Sequence, residues 1–335
     1  MKSAEKTQHR RCMRMEKIAS ELKGIKRAAI AGHVRPDGDC VGSCMGLYLY
    51  LKENYPEIKT DIYLEKPRDA FSMLSHLDEI RTVYSDEEAY DVFFVIDTST
   101  SDRIGVAWEA YQKAKKKICI DHHVSNKGFG DINVVKPDVS SASEVLFGLL
   151  DEEKVSKSAA EAIYMGMAHD TGVFKFSSTT PKTLRIAAKL IEKGIDFTRI
   201  IDETFFQKSY VQNQILGRCL MESIMLLDGK CIIGCIRKRD MEFYGVEPKD
   251  LDGIVDQLRI TKGVEVAVFL YEVKTQEFKV SMRSNGPVDV NMVASYFSGG
   301  GHVMAAGCSM QGSVYDVINN LTGHIEKQIK EKCGD

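Results

Sequence analysis

Aspartate and histidine residues lie close together at four points between residues 33 and 170. These points are His33, Asp37 and Asp39; Asp97; Asp121, His122 and His123; and Asp170. Carboxylates that crowd together repel one another unless a cation lies between them. Imidazole nitrogens and carboxylate oxygens are also ligands that divalent metal ions use in proteins. The pattern therefore predicts a site for two metal ions.

Each of these points has a simpler interpretation when it is taken alone. An Asp that follows a strand is often a helix cap, and a lone His is more often a hydrogen-bonded core residue than a ligand. Four such points in one predicted domain are harder to explain in this way. Without a cation, so many carboxylates in one crevice would cost several kcal/mol in repulsion and desolvation. Metal binding is therefore the favoured interpretation.

Short apolar segments of strand length precede three of the four points. The predicted strands are 28–31, 59–64, 91–96 and 118–120, and the first predicted helices are 41–51 and 108–117. Strands that alternate with helices predict an α/β fold with a doubly wound, mostly parallel sheet. Ligands of such a sheet bind at the carboxyl ends of its strands. That edge would bring the candidate metal ligands together.

The remainder of the sequence predicts helices first and then mainly strands. Further predicted helices are 158–168, 181–193, 251–258 and 314–330, and further strands are 224–227, 231–236, 264–271 and 277–282. Ser141 and Glu144 have the spacing of a capping box, and Pro181 suits the first position of a helix. These elements predict a first domain over 1–195, a helical linker over 196–222, and a smaller α/β domain with a mixed sheet over 223–335.

The composition limits the class of protein and of partner. The chain has 335 residues, of which 44% are apolar and 28% are charged, which is typical of a globular protein with more than one domain. The net charge of −3 gives no global attraction for long nucleic acids. No apolar run reaches the roughly 18 residues that span a bilayer. We therefore expect no membrane and no long nucleic acid as a partner.

The cysteines and the N-terminal segment indicate a cytoplasmic location. The nine cysteines are scattered and odd in number, which favours reduced, buried thiols. Residues 1–26 lack the apolar region of a signal peptide. Their spaced apolar residues Met13, Ile18 and Leu22 favour an amphipathic helix over a nucleic-acid-binding arm.

Taken together, the motifs resemble those of a known family. Four segments of the chain resemble the motifs of the DHH phosphoesterases: His33-x-x-Pro36-Asp37-x-Asp39-x-x-Gly42-Ser43, Asp97, Asp121-His122-His123 and Asp170. The glycine-rich signature of the DHH-associated C-terminal domain is similar to Gly299-Gly300-Gly301-His302 followed by Ala305-Ala306-Gly307. The resemblance covers nearly the whole chain in the expected order. It implies a catalytic domain that faces a smaller substrate-binding domain across a cleft.

The resemblance also implies a role for each residue of the first group. One metal ion would be held by His33, Asp37 and Asp97, and the other by Asp39, Asp97, His122 and Asp170, with Asp97 as the bridge. Asp121 would orient and polarise a ligand. His123 would contact a phosphoryl oxygen, protonate the leaving group, or make only a structural hydrogen bond. The ligands suit Mn²⁺ best, with Co²⁺ and Mg²⁺ as alternatives. Two such ions, roughly 3.5–4 Å apart, would activate a water for attack on phosphorus.

The second domain would bind the substrate. The candidate residues are Arg283, Ser284, Gly299, Gly300, Gly301 and His302. Consecutive glycines can bring backbone N–H groups close to an anion, although they suit a plain turn equally well. An Arg at the end of a strand can fork onto a terminal phosphate. The resemblance implies that the corresponding Arg and His hold the terminal phosphate or the base of the substrate.

The resemblance narrows the activity to short substrates. Pyrophosphatases of the family have a different second domain, and exonucleases that act on long substrates carry additional binding domains. Membrane-bound cyclic-dinucleotide phosphodiesterases carry transmembrane segments. The remaining type, the stand-alone nanoRNases, degrades oligoribonucleotides of a few residues and often dephosphorylates 3′-phosphoadenosine 5′-phosphate (pAp). The sequence therefore predicts a metal-dependent phosphodiesterase that releases mononucleotides from very short RNA and also acts on pAp.

Two other functions stay open. A phosphodiesterase of cyclic di-AMP, or of its linear product pApA, would use the same metals and differ in the shape of its cleft. A non-catalytic nucleotide- or RNA-binding module is less favoured, because the whole set of candidate metal ligands is present. Assembly into a homodimer through the first domain is also left open.

Overall fold

The computed structural model describes residues 17–85 and 89–333. It divides into two compact units, Met1–Gln207 and Lys208–Asp335. The boundary between the units lies inside segment 196–222, for which the sequence predicts a helical linker.

Most of the amphipathic helix predicted for residues 1–26, including Met13, lies outside the described residues. Within the described part of this segment, Ile18–Glu21 form a 3₁₀ helix. Ile18 and Leu22 are both buried in the core of the first unit.

A five-stranded parallel sheet forms the centre of the first unit, with the strand order β2-β1-β3-β4-β5. The strands are β1 (Arg27–Ala31), β2 (Lys59–Tyr63), β3 (Val92–Ile96), β4 (Lys117–Asp121) and β5 (Ile132–Val135). The first four confirm the predicted strands, with ends that differ by about one residue. The prediction missed β5, because Asn133 interrupts its short apolar run and the strand lies at the edge of the sheet.

The first unit contains six α-helices in its described residues. They are α1 (Gly38–Asn54), α2 (Trp108–Lys113), α3 (Ala142–Leu149), α4 (Lys157–Asp170), α5 (Pro181–Glu192) and α6 (Phe197–Ile201), and a π-helix, Asp202–Phe206, follows α6. Helix α1 begins earlier than predicted, because the Asp37 carboxylate accepts hydrogen bonds from the N–H groups of Asp39 and Cys40. Helix α2 is shorter than predicted, because Lys117 pairs with Phe93 in the sheet.

The starts of α3 and α5 show two kinds of capping. Pro181 occupies the first turn of α5, as the sequence predicts, and Thr180 and Thr183 form a full capping box there that the sequence analysis did not predict. At α3, the Ser141 hydroxyl accepts the Glu144 N–H at 3.0 Å. The buried Glu144 carboxylate accepts hydrogen bonds from the side chains of neighbouring residues instead of the Ser141 N–H, so only half of the predicted capping box forms.

Both faces of the sheet are covered. Ala28 and Ile30 of β1 belong to one core cluster, which includes residues of α1, α3 and α4. Ala29 and Ala31 belong to a second cluster, which includes Tyr111 of α2. Strands that are buried on both faces are apolar at every position, which is why the sequence identifies them. The first unit is therefore doubly wound.

Helices α1 and α4 approach each other closely at glycines. A Cβ atom on Gly42 would lie 2.5 Å from the Ala162 carbonyl oxygen and 2.7 Å from the Gly166 nitrogen. A Cβ atom on Gly166 would overlap the Ser143 hydroxyl and lie 2.8 Å from Asp39 Oδ1. Because these positions carry no side chain, the helix that bears Asp170 can pack against the helix that bears Asp39.

The second unit is built on a six-stranded mixed sheet with the order β10-β11-β9-β8-β7-β6. Its strands are β6 (Ile224–Leu226), β7 (Cys231–Ile236), β8 (Val266–Lys274), β9 (Glu277–Ser284), β10 (Gly300–His302) and β11 (Ala305–Gln311). Its helices are α7 (Tyr210–Met221), α8 (Lys238–Tyr244), α9 (Ile254–Arg259), α10 (Val290–Ser295) and α11 (Val314–Cys333). Strands β7 and β8 are parallel, and the other pairs are antiparallel. The predicted fold class is confirmed in both units.

Some elements of the second unit differ from the prediction. The glycine-rich β10 and the neighbouring β11 were not predicted as strands, and α8 and α10 were not predicted as helices. The predicted helix 251–258 is interrupted by Gly253, whose φ of +86° ends a 3₁₀ turn at Leu251 and lets α9 begin at Ile254. Among the described residues, no helix combines the length and the apolar character that a bilayer crossing requires.

We expect Gly42→Ala to destabilise the first unit by about 1–3 kcal/mol, because the new methyl group would meet the backbone of α4. Gly148→Ala is the matched control, since Gly148 is an exposed helical position where a Cβ would meet nothing within 4 Å. The control should be neutral or stabilising by up to about 1 kcal/mol. Urea unfolding measures both changes, and equal midpoints for the two variants would contradict the close approach of α1 and α4.

Candidate metal centre

The candidate ligands are positioned by three neighbouring strands and one helix end. His33 lies just beyond β1, Asp97 directly follows β3, and His122 directly follows β4. These strands are adjacent and parallel in the order β1-β3-β4, so their carboxyl ends lie at the same edge of the sheet. Asp170 is the last residue of α4. The predicted gathering of the ligands therefore has a simple structural basis in the sheet order.

Asp97 lies at the centre of the cluster. Its Oδ2 is 3.5 Å from His33 Nε2, and its Oδ1 is 3.5 Å from His122 Nε2 and 3.6 Å from His123 Nδ1. Asp97 has a left-handed backbone with φ of +55°, a conformation that Asp adopts more readily than most residues. Only 2% of the residue is exposed. One carboxylate therefore faces imidazoles from both sides.

His33 and Asp37 form one side of the cluster. His33 Nδ1 donates to the Val34 carbonyl oxygen at 2.8 Å, which fixes the proton on Nδ1 when the ring is neutral. The other nitrogen, Nε2, then carries the free lone pair and lies 3.7 Å from Asp37 Oδ2. Asp37 uses its Oδ1 to cap α1. Its Oδ2 is therefore oriented towards His33.

His122, Asp170 and Asp39 form the other side. His122 Nε2 is 3.1 Å from Asp170 Oδ2 and 3.9 Å from Asp39 Oδ2. Asp39 is fully buried, and its carboxylate accepts the N–H groups of Ala142 at 2.6 Å and Ser143 at 3.0 Å. These are the first residues of α3, so the helix N-terminus holds Asp39 in a fixed orientation.

Asp121 makes different contacts from the other aspartates of the cluster. Its Oδ1 accepts a hydrogen bond from His123 Nδ1 at 2.8 Å, and its Oδ2 accepts one from Asn126 Nδ2 at 2.6 Å. Both oxygens of this fully buried carboxylate are thus engaged by side chains. The His123 ring is partly exposed, and its Nε2 has no hydrogen-bond partner within residues 17–85 and 89–333.

Burial and the charges of neighbouring groups shift the pKa values of the cluster. Burial, together with the charges of Asp97 and Asp170, raises the pKa of Asp39 well above its usual range. Burial also raises the pKa of Asp170. Burial opposes ionisation of Asp97, but the His122 and His33 imidazoles that face its carboxylate hold its pKa well below the usual range. Burial lowers the pKa of His122, yet Asp170 and Asp97 outweigh it and raise that pKa to about 11.

The residues present fit divalent cations. Asp97 Oδ1 is buried and has no hydrogen-bond partner among the described residues, which is costly for a carboxylate oxygen unless another group binds it. In the part of the chain that the structure describes, ligand atoms within 4.8 Å of one another form three overlapping groups: Asp97, Asp121, His122 and His123; His33, Cys40 and Asp97; and Asp39, His122 and Asp170. Asp97 belongs to two of these groups. Oxygen and imidazole nitrogen donors of this kind suit divalent ions such as Mn²⁺ or Mg²⁺.

The candidate substrate residues lie together in the second unit. Strand β10, which contains Gly300, Gly301 and His302, pairs with β11, and β11 pairs in turn with Arg283 of β9 through Ala305. Gly300, Gly301 and His302 are exposed, and Gly299 precedes them. At Gly301, φ is +153°, and a Cβ there would overlap the backbone of Ala305. Glycine is therefore required at this position for the backbone itself.

Arg283 and Ser284 are less exposed than the glycines. Arg283 Nε lies 3.4 Å from Asp256 Oδ1, and its Nη1 donates to the Met282 carbonyl oxygen. Ser284 is buried, and its hydroxyl accepts the Gly286 N–H at 3.1 Å. The hydrogen bond between Ser284 and Gly286 is typical of a serine that stabilises a turn.

The sequence interpretation missed one residue beside the cluster. Arg103 Nη2 lies 3.4 Å from His33 Nδ1, and the Arg103 carbonyl oxygen accepts the Val34 N–H at 2.8 Å. The available signal was weak: Arg103 is the one cationic residue between Asp97 and Gly105 in the sequence. The segment has no apolar period that would have indicated where its side chains point.

We expect Asp97→Asn to weaken Mn²⁺ binding by more than about 100-fold, because the central carboxylate loses its charge and one ligand oxygen. Loss of a residue that only supports a ligand costs about 10- to 100-fold in metal affinity. Titration calorimetry on metal-free protein measures the stoichiometry and affinity. Asp69→Asn is the control, since the Asp69 side chain is 96% exposed. Wild-type stoichiometry and affinity in Asp97→Asn would contradict the central place of Asp97.

Comparisons with known proteins agree with this geometry. The family model described as "DHH family, N-terminal domain" matches residues 27–167, and the "DHHA1 domain" model matches residues 229–331. The bifunctional oligoribonuclease and PAP phosphatase NrnA of Bacillus subtilis is 32% identical over 304 residues, which cover 89% of this chain and 93% of that protein. The protein of the same name from Thermus thermophilus is 31% identical, with 89% of each chain covered.

A solved structure supports the same relationship. The exopolyphosphatase-related protein from Bacteroides fragilis superimposes with a TM-score of 0.83 at 27% identity, over 92% of this chain and 94% of that one. The DHH phosphoesterases depend on divalent metal ions, and this chain contains the acidic and imidazole cluster that could hold them. The resemblance noted in the motifs is thus confirmed. The chain belongs to the DHH phosphoesterase family and is a phosphoester hydrolase.

Proposed function

We propose that this enzyme hydrolyses very short oligoribonucleotides to mononucleotides and also removes the 3′-phosphate of pAp. The observation that carries the proposal is the Asp97 carboxylate, which faces His33 on one side and His122 on the other at a single sheet edge. The activities named for the relatives from Bacillus subtilis and Thermus thermophilus support this choice of substrates. The net charge of −3 also disfavours long nucleic acids, which are bound through many cationic contacts.

We infer that two divalent ions, most suitably Mn²⁺, bind at this cluster. Their proposed ligands are His33, Asp37 and Asp97 for one, and Asp39, Asp97, His122 and Asp170 for the other. When bound, such ions neutralise charge on the phosphoryl oxygens and lower the pKa of a water at the site. The protein residues keep the ligands fixed: Val34 holds the His33 ring, and the α3 N-terminus holds Asp39. This preorganisation favours the transition state.

We propose that His123 protonates the leaving group. The hydrogen bond with Asp121 raises the pKa of His123, which favours the protonated ring that a general acid requires. Asn126 donates a hydrogen bond to the other oxygen of Asp121, so the side chains of Asp121 and His123 are both fixed in position. The free Nε2 of His123 is then available to donate its proton to a departing oxygen.

In the second unit, we propose that Gly299, Gly300 and Gly301 bring the backbone close to one end of the substrate. The exposed His302 lies on the same strand, and Arg283 lies two strands away, where its charge favours a phosphate. We retain Ser284 as a candidate only through its position beside Arg283, because its hydroxyl already accepts the Gly286 N–H.

We also infer that the protein works in a reducing compartment, such as the cytoplasm. Cys40 and Cys44 are both buried one helical turn apart, and the structure has both as free thiols. Burial raises the pKa of Cys40 well above its usual range, which keeps the thiol protonated and unreactive.

We expect His123→Gln to lower kcat by about 10²- to 10⁴-fold, and Asp121→Asn to lower it by about 10- to 100-fold, with little loss of bound metal. The reason is that both residues serve proton transfer rather than metal ligation. Hydrolysis of bis-p-nitrophenyl phosphate and metal analysis of the same samples measure the two quantities. If metal occupancy fell in step with kcat in both variants, the assigned roles would be wrong.

We expect a substrate comparison to decide the function. In Mn²⁺, the purified full chain should cleave a labelled diribonucleotide and pAp much faster than an RNA of about 24 nucleotides. Asp97→Asn serves as the control for contaminating nucleases. Preference for the long RNA would overturn the proposal, and faster cleavage of cyclic di-AMP or pApA than of the diribonucleotide would assign the enzyme to dinucleotide signalling instead.

A further inference from the structure

We propose that Arg103 binds a non-bridging oxygen of the phosphoryl group that is cleaved. This proposal rests on the proposed function and adds to it a residue that contacts the substrate from the first unit. The observation behind it is a cationic side chain beside His33 whose guanidinium group, within the described residues, has only the 3.4 Å contact with His33 Nδ1.

The backbone of Arg103 is tied to the turn that carries His33. Arg103 ends a 3₁₀ turn, Ser101–Arg103, and its carbonyl oxygen accepts the Val34 N–H at 2.8 Å. Gly105 follows with φ of +66°, and a Cβ there would lie 2.6 Å from Val34 Cγ1. The segment after Asp97 therefore packs directly against the His33 turn, and the position of Arg103 relative to the cluster is fixed by backbone contacts.

The guanidinium group lies beside His33 without forming a hydrogen bond to it. Arg103 Nη2 is 3.4 Å from His33 Nδ1. The proton of Nδ1 is already donated to the Val34 carbonyl oxygen at 2.8 Å, so this nitrogen has no lone pair to offer an N–H donor. The Val34 contact also fixes the imidazole, so the ring does not need Arg103 for its orientation. Arg103 thus keeps its N–H donors for another group.

The charge around Arg103 favours an anion. Within residues 17–85 and 89–333, no carboxylate oxygen lies within 4.0 Å of its guanidinium nitrogens. The group is only partly buried, so a ligand can reach it. Around the cluster, the acidic residues are Asp37, Asp39, Asp97, Asp121 and Asp170. Arg binds phosphate oxygens through its planar fork of donors, so Arg103 would add a fixed cation for the phosphoryl group beside the proposed metal ions.

The test uses the full chain with Arg103→Gln and Arg103→Lys. Lys115→Gln is the matched control, because Lys115 pairs with Asp91 at the opposite end of β3 and its side chain is 69% exposed. Three quantities are measured for each protein: kcat/KM for a diribonucleotide and for bis-p-nitrophenyl phosphate, Mn²⁺ affinity by calorimetry, and the affinity of the Mn²⁺-loaded protein for inorganic phosphate.

If Arg103 binds the phosphoryl group, Arg103→Gln lowers kcat/KM for both substrates by about 10- to 100-fold and weakens phosphate binding by a similar factor. Its Mn²⁺ affinity stays at the wild-type value, and Arg103→Lys recovers part of the loss because the charge is kept without the fork. Unchanged phosphate affinity in Arg103→Gln would overturn the proposal. Weakened Mn²⁺ binding would also overturn it, since Arg103 would then act on His33.

The phosphate titration separates this proposal from the proposed function. If wild-type protein failed to cleave the diribonucleotide and pAp, the proposed substrates would be wrong. Weaker phosphate binding by Arg103→Gln would still support a phosphoryl contact in that case, because the measurement needs no turnover.

Discussion

The contact between the Asp97 carboxylate and two imidazoles is the constraint on which the first unit depends. Asp97 is buried directly after the central strand β3, where its left-handed backbone directs the side chain into the cluster. A carboxylate in this position is tolerable only if positive charge lies close to it. In the protein alone, His33 and His122 supply that charge, and their proximity lowers the pKa of Asp97 against the effect of burial.

The scaffold around Asp97 keeps further negative charge close to it. Parallel pairing of β1, β3 and β4 places the ends of three strands at one edge. The absence of side chains at Gly42 and Gly166 allows α4 to carry Asp170 against α1. The amide groups of Ala142 and Ser143 hold Asp39 at the N-terminus of α3, although burial raises its pKa. The fold thus opposes the repulsion among these groups with packing and backbone hydrogen bonds.

The strands and the proximity of the candidate ligands could be predicted because both follow from local patterns. Strands that are buried on both faces are continuous apolar runs, and the Asp and His residues come directly after such runs. The orientation of Asp39 could not be predicted, because its amide partners are more than one hundred residues away in the sequence. Arg103 was missed for a related reason: its place depends on a backbone hydrogen bond with Val34 rather than on any periodic pattern.

The distribution of these residues along the chain affects when the protein can acquire metal. Candidate ligands follow the ends of β1, β3 and β4, but Asp170 joins them only when α4 packs against α1. During synthesis, the acidic groups of the early segments therefore emerge before their last partner does. Any tight metal site formed by these groups therefore belongs to the folded first unit rather than to the emerging polypeptide. Ion binding to that folded form would shift the folding equilibrium towards it, so the stability of the first unit would rise with the concentration of divalent ions.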